Sequence, residues 1–390
     1  MVKNITLVTQ DFYPLKGGIA NYLMQVYRKY FASENFQVIV PQSIAQATDY
    51  QKFPFNVHRT PFFPFELDTH SRKQTNETIV NILKQTNTDI LLFGYLRSHP
   101  EIIRDYKKYK PSVKTGIIMH AKEAFIDAAI VDENRSLTSA HKGYTSTEAF
   151  FYKTILEEVD YIFCISSFTK NLLSSQGIKN KSILLDPPIK IQTLLNRCEC
   201  KLKLGYAAND FIVLSVGRLI DRKGQHRIVE SMPSLQREIP TIHYEMIGDG
   251  PNKTHIKEMV AKYGLEERIS LYDDVDDIVL ALHYGAADIF VLPTDFIPPN
   301  DIEGFGIVFL EAGMHRVPVI GGNTGGVSDA IVDGLSGYLI DPKSKEELES
   351  KIIDLYTQPM LRTKLGKQAR LRVIKYFNDF PSADLVNLLS

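Results

Sequence analysis

Short, uninterrupted apolar runs separated by helix-like stretches recur along this chain, and the pattern restarts near residue 211. An apolar run without polar alternation marks a strand buried on both faces. An intervening helix makes successive strands parallel. In the first half, Ile5-Thr6-Leu7-Val8 opens the series. A helix over Ile19 to Phe31 follows, then strands near Gln37–Val40, Ile90–Phe93, Gly116–Met119, Tyr161–Ile165 and Ser182–Leu185. The Pro- and Phe-rich residues 53–65 read as a loop or sheet edge. The second series begins with Phe211–Val216 and continues through Ile242–Ile247, Ile269–Leu271, Ile289–Leu292, Pro318–Ile320 and Tyr338–Ile340. The chain therefore predicts two doubly wound α/β domains, which suits 390 residues. Asp186-Pro187-Pro188 is the expected hinge. Domains are expected over 1–188 and 189–370, with a terminal helical segment over 371–390.

Composition narrows the function classes. With 44% hydrophobic and 23% charged residues the chain has the makings of ordinary cores. Three cysteines are too few for a disulfide framework and lack zinc spacing, which fits a reducing, cytoplasmic setting. No apolar run approaches the roughly 18 residues of a membrane helix. Residues 1–195 carry 23 Lys+Arg against 18 Asp+Glu, and the rest 22 against 28, so a basic half adjoins an acidic one. No nucleic-acid motif accompanies the charge, and a nucleic-acid partner is not expected. Arg104, Lys107, Lys108 and Lys110 share one helical stretch, which reads either as a solvated face or as a peripheral contact with anionic membrane.

Ligands of doubly wound sheets bind at the carboxyl ends of strands, so the loops there carry the candidate chemistry. Glu303 and Glu311 stand eight positions apart around Gly304-Phe305-Gly306 and a helix start at Ile307. Free amides at that start suit a diphosphate or sugar hydroxyls, and carboxylates accept from hydroxyls. Arg218 and Lys223 follow the strand ending at Gly217, where two cations can neutralise a diphosphate. Gly321 to Gly326 forms a glycine-rich turn, which lets backbone approach a phosphate closely. In the first half, Gly17 and Gly18 open a helix, and the loop is not a G-x-G-x-x-G dinucleotide fingerprint, which argues against a dehydrogenase. His120 ends a strand, and Glu123 and Asp127 follow it within reach of an acceptor hydroxyl. Each feature also has an ordinary reading as a cap, a solvated charge, a tight turn or a surface residue.

Together the segments closely resemble the retaining glycosyltransferases of family 4, which have the GT-B fold. The resemblance spans nearly the whole chain and is strongest from Leu214 to Pro342. It rests on E-x7-E (Glu303, Glu311), V-G-R-L…K-G (Val216 to Gly224), I-G-D-G-P (Ile247 to Pro251), A-D-I-F-V-L-P-T (Ala287 to Thr294) and D-G-L-S-G-Y-L-I-D-P (Asp333 to Pro342), in the family's order and spacing. It implies two Rossmann-like domains facing across a cleft, with a final helix crossing back to the first. Arg218 and Lys223 would hold the donor diphosphate, Glu311 the ribose and Glu303 the transferred sugar. Backbone amides of Phe305, Gly306 and Ile307 would meet sugar or phosphate. Gly17 and Gly18 would approach the diphosphate, and His120 the donor sugar.

The implied reaction moves a hexose, with retention, from a nucleotide-diphosphate sugar to a glycan or lipid-linked acceptor in cell-surface polysaccharide or glycolipid synthesis. No metal and no cofactor are implied. The stretch from Pro298 through Glu311 looks like that of GDP-mannose-dependent mannosyltransferases, so GDP-mannose is favoured and UDP-hexoses come next. Asp273-Asp274-Val275-Asp276-Asp277 departs from the family's glycine-containing turn at a loop that commonly meets the base. An epimerase or phosphorylase on the same fold, or a non-catalytic sugar-nucleotide binding subunit, are the competing readings.

Overall fold

The computed structural model describes residues 2–15, 17–42, 53–60, 69–95, 101–126, 146–178, 182–185, 187–189 and 192–378. They fall into two compact units that divide between Pro188 and Ile189. Asp186 of the expected hinge and the terminal residues from 379 onward lie outside the described residues.

In the first unit the chain runs β1 (Asn4–Val8), α1 (Gly18–Val26), β2 (Asn35–Pro41), β3 (Asn56–Thr60), α2 (Thr69–Gln85), β4 (Ile90–Phe93), α3 (Ile102–Tyr109), β5 (Lys114–Met119), α4 (Ser146–Glu158), β6 (Tyr161–Cys164), α5 (Ser167–Ser175) and β7 (Ser182–Leu184). The strands form one parallel sheet in the order β3-β2-β1-β4-β5-β6-β7. The helix expected from Ile19 to Phe31 is α1 extended by a π-helical turn over Tyr27–Phe31. The Pro- and Phe-rich stretch supplies the edge strand β3.

The second unit begins with α6 (Arg197–Lys203). It continues β8 (Phe211–Val216), α7 (Gln225–Glu238), β9 (Ile242–Ile247), α8 (Lys253–Tyr263), β10 (Ile269–Tyr272), α9 (Asp277–Ala286), β11 (Ile289–Leu292), α10 (Ile307–Met314), β12 (Val319–Gly322), α11 (Val327–Ala330), β13 (Gly337–Ile340), α12 (Lys345–Thr357) and α13 (Pro359–Asn378). Its parallel sheet has the order β10-β9-β8-β11-β12-β13. Val213, Tyr244, Val291 and Ile320 on the strands pack against Ile228, Val229 and Met232 of α7 and Ile352 and Leu355 of α12. Full burial of such side chains stabilises the fold by roughly 1.5–3 kcal/mol each. Helix starts are set locally: Asp276 accepts from the Ile278 and Val279 amides, and Ser344 from that of Glu347.

The boundary expected at residue 370 falls inside α13. This helix runs unbroken to Asn378, and Leu365, Ala369 and Val373 bury its inner face in the second unit. The expected return to the first domain falls outside the described residues. Strand order reverses at β1/β4 in one sheet and at β8/β11 in the other. These switch points are where such folds hold ligands.

Candidate active site

In the second unit, β8 delivers the chain to Gly217 and Arg218, and a 3₁₀ turn over Asp221–Lys223 closes the loop. Lys223 Nζ donates to Glu303 Oε2 at 2.6 Å, and Arg222 Nη1 donates to the same oxygen at 2.6 Å. Arg222 Nε also reaches Asp301 Oδ1 at 3.1 Å. Side-chain exposure is only 14% for Arg222, 11% for Lys223 and 12% for Glu303. Burial alone would push the Glu303 carboxyl up, but Lys223 and Arg222 outweigh it and hold it at about 2. Glu303 is thus a fixed carboxylate at neutral pH. Arg222 is raised: burial opposes its charge, and Glu303 and Asp301 more than compensate.

The backbone around Glu303 is held by the glycine-rich turn. Gly326 N–H donates to the Glu303 carbonyl at 2.9 Å. Gly325 has φ +57°, and a Cβ there would overlap that carbonyl oxygen. Only glycine meets both demands. The turn flagged as a phosphate cradle therefore has a described structural task, which is to seat Glu303.

Gly306 (φ +85°) starts α10 with no side-chain cap, so the first amides of the helix keep their donors available. Phe305 is 1% exposed as a whole residue and its ring packs edge-on to Tyr376. Glu311 stands apart from the ion-paired cluster. Its Oε2 accepts from Tyr284 Oη at 2.8 Å, and burial raises both groups. Arg218 contrasts with Lys223: it is exposed, and no carboxylate pairs with it among the described residues. Among the described residues, three buried polar atoms in or beside these loops, Gln225 Oε1, Thr294 Oγ1 and Asn300 Oδ1, lack a partner. In the Asp273–Asp277 stretch, Asp276 is the α9 cap and Asp273 pairs with Lys253 at 2.5 Å.

In the first unit, Gly17 and Gly18 open α1 without a side-chain cap, and a Cβ at either would meet nothing within 4 Å. His120 Nε2 lies 2.9 Å from the Gly94 carbonyl at the end of β4. That oxygen can only accept, so the network assigns the proton to Nε2 and leaves Nδ1 an acceptor. Burial lowers the ring to about 4, against the partial support of Gly94, so it is neutral at pH 7.

Glu123 corrects an expectation. It is 1% exposed and its Oε1 accepts from the His120 amide at 2.6 Å, so it steadies the turn under His120 instead of facing an acceptor. Asp127 lies outside the described residues, as do residues 61–68 and 128–145. The basic stretch of α3 is also neutralised. Arg104 chelates Glu158, Lys107 faces Asp160, Lys108 pairs with Asp105 and Lys110 with Asp89. It is a solvated, ion-paired face.

Arg222, Asp301 and Tyr284 had no assigned role in the sequence reading. Arg222 adjoins Lys223, and its pairing across some eighty residues leaves no trace in local spacing.

Residues 199–372 match the model of the family described as glycosyl transferases group 1. A GDP-mannose-dependent alpha-(1-6)-phosphatidylinositol monomannoside mannosyltransferase of Mycolicibacterium smegmatis is 29% identical over 160 residues, 41% of this chain and 42% of that one. The matched part is thus well under half of that relative's length. A GDP-mannose-dependent monoacylated alpha-(1-6)-phosphatidylinositol monomannoside mannosyltransferase of Corynebacterium glutamicum is 24% identical and aligns over 94% of this chain and 92% of its own. Among solved structures, Anabaena HepE in complex with UDP superposes with a TM-score of 0.75 at 16% identity, covering 99% of this chain and 97% of that one. This likeness concerns the fold, and the expected pair of Rossmann-like α/β domains of the GT-B class is what the chain has. Residues 199–372, which carry the Lys223–Glu303 cluster, are thus the part of the chain that resembles the group 1 glycosyl transferases.

Proposed function

We propose that the chain transfers a hexosyl group, with retention, from a nucleoside diphosphate sugar to a hydroxyl of a glycan or lipid-linked acceptor. The observation that carries this reading is the buried Lys223–Glu303–Arg222 cluster beside an unpaired Arg218 and the uncapped start of α10. Lys223 and Arg222 are balanced by Glu303 and Asp301. The uncompensated charge therefore sits on Arg218, and a diphosphate would complete it together with the α10 amides. Positive groups preorganised at the leaving oxygen stabilise the charge that develops as the glycosidic bond breaks.

In this scheme the bond from the anomeric carbon to the diphosphate oxygen breaks while the acceptor oxygen bonds to the same face. The acceptor's proton passes to the departing phosphate oxygen. Glu303 is ionised and doubly held, so it acts as an acceptor for sugar hydroxyls, neither a general acid nor a free nucleophile. The glycosidase pairing of two carboxylates does not apply to it. Neutral His120 would accept from a sugar hydroxyl through Nδ1, and Glu311 from the ribose. The reaction needs no metal or cofactor, since the cations supply the charge. GDP-mannose is the favoured donor, supported by the two GDP-mannose-dependent relatives, with UDP-hexoses next. The acceptor class extends by analogy to cell-surface polysaccharide or glycolipid synthesis.

The test is thermal stabilisation by GDP, UDP and ADP and their sugar conjugates, followed by product analysis in the presence of EDTA. Stabilisation by one nucleotide class that is lost in Arg218→Ala and Glu311→Ala, with an α-linked product from an α-linked donor, supports the reading. Tight binding without turnover over a broad acceptor screen points to a binding subunit. Epimerisation or phosphorolysis without transfer points to a different enzyme on the same fold.

A further inference from the structure

Helix α13 carries Arg362, Lys364, Lys367, Arg370, Arg372 and Lys375 and no acidic residue. The two kinds of cation segregate. The arginines turn into the protein: Arg362 faces Asp288 at 3.8 Å, Arg370 donates to the Met314 carbonyl, and Arg372 Nε donates to the Ala330 carbonyl at 3.0 Å. The lysines turn out. Lys364, Lys367 and Lys375 are exposed, and among the described residues no carboxylate pairs with them.

At 100° per residue, Met360, Lys364, Lys367, Leu371 and Lys375 fall on one narrow stripe, opposite the buried Leu365, Ala369 and Val373. Met360 is 83% exposed and Leu371 55%. The stripe runs about 22 Å along the helix. Leu371 lies between Lys367 and Lys375 on this stripe, and Met360 lies at its start.

We propose that this stripe of α13 is a docking surface for an anionic lipid bilayer, lying flat on the headgroups. The lysines would meet anionic headgroups while Leu371 and Met360 enter the acyl boundary. The interleaved apolar side chains favour lipid over a purely ionic polyanion, which would need charge alone. The contrast with α3 supports the choice, since every cation of that helix named above has its own carboxylate. The proposal goes beyond the transfer reaction and does not rest on the donor assignment.

The experiment is sedimentation of the full chain with vesicles of phosphatidylcholine alone and of phosphatidylcholine with phosphatidylglycerol. Binding is expected to the anionic vesicles only and to weaken with salt. Lys364→Glu/Lys367→Glu/Lys375→Glu should lower partition about 10-fold or more. Leu371→Ser should lower it several-fold while keeping the salt dependence. Lys→Gln at the same three positions gives a milder version should charge reversal disturb folding, and circular dichroism with nucleotide-dependent thermal shift shows that each variant is folded. Equal binding to both vesicle types, or no loss in the variants, overturns the proposal. So does a concentration-dependent dimer that the lysine variants abolish, which would assign the stripe to a second copy. Heparin binding without vesicle binding would assign it to a polyanion and also overturn it.

Discussion

Lys223 Nζ and Glu303 Oε2 lie 2.6 Å apart, eighty positions apart in sequence, and Arg222 Nη1 shares the same oxygen at 2.6 Å. One carboxylate therefore holds two buried cations in place. Such preorganisation removes the cost of gathering like charges when an anionic substrate arrives. It also makes the cluster sensitive to loss of the one carboxylate that both cations share.

Glu303→Ala should be strongly destabilising, because it strands the buried Lys223 and leaves Arg222 with Asp301 alone. Removing one partner of a buried ion pair costs about 3–5 kcal/mol. Glu303→Gln keeps the shape and an acceptor oxygen, and should lie between wild type and Ala. Urea melts of the three proteins test the order. A Gln variant as unstable as Ala would show that shape contributes nothing.

The same hub has a pH signature. The Glu303 carboxyl is held at about 2 against an ordinary 4.5. A depressed carboxyl contributes stability in full above the unfolded value, and loses it as pH falls from 4.5 toward 2. The linkage amounts to about 3 kcal/mol. Stability measured across that window should fall less steeply in Glu303→Gln than in wild type. Parallel curves would exclude Glu303 as the titrating group.

His120 works in a higher window. Its ring is lowered to about 4, so the folded state resists the proton that the unfolded chain takes up near 6.5. Stability is complete above pH 6.5 and declines as pH falls to 4, by on the order of 3 kcal/mol. His120→Gln should flatten the curve between these limits. NMR titration of the wild-type ring should give a midpoint near 4 with the Nε2–H tautomer. A midpoint near 6.5 would contradict the burial and the neutral role given to Nδ1.

Arg218 should separate binding from stability. It is exposed and without an ion pair among the described residues, so Arg218→Ala should change stability by less than about 0.5 kcal/mol. Loss of a charge-assisted contact to a diphosphate should weaken donor binding about 10-fold or more. Thermal melts check the first, and calorimetric titration with nucleoside diphosphates checks the second. Unchanged affinity would move the diphosphate elsewhere.

What the sequence made legible was whatever local spacing encodes. Uninterrupted apolar runs located β4 and β11 because strands buried on both faces need no polar alternation. Glu303, Lys223 and Gly306 stood out because they sit in loops that lead from a strand to a helix start. Long-range pairing was not legible. Arg222 looked like one more loop charge, and only the fold brings it to Glu303. Tyr284 sits in an apolar helix and reads as core filling, while its hydroxyl in fact holds Glu311. Glu123 read as an acceptor contact because its polarity was visible and its inward direction was not. The turn at Gly321–Gly326 suggested phosphate for the same reason, since its need for glycine comes from the Glu303 carbonyl.

Two glycines separate fold from function most sharply. Gly325 has φ +57° and abuts the Glu303 carbonyl, so Gly325→Ala should lower stability by about 2 kcal/mol and disturb Glu303. Gly18 has no such demand. It lies in the first turn of α1, and a Cβ there would meet nothing within 4 Å, so Gly18→Ala should leave stability unchanged or slightly raised. If the open space above α1 serves a diphosphate, Gly18→Val should still weaken donor binding, since side-chain bulk would stand where a phosphate approaches the amide. Paired melting and binding curves decide it. A Gly18→Val protein that is stable and binds as wild type would leave this glycine without a role in donor recognition, whereas a stable protein with impaired binding can only have lost room for the ligand.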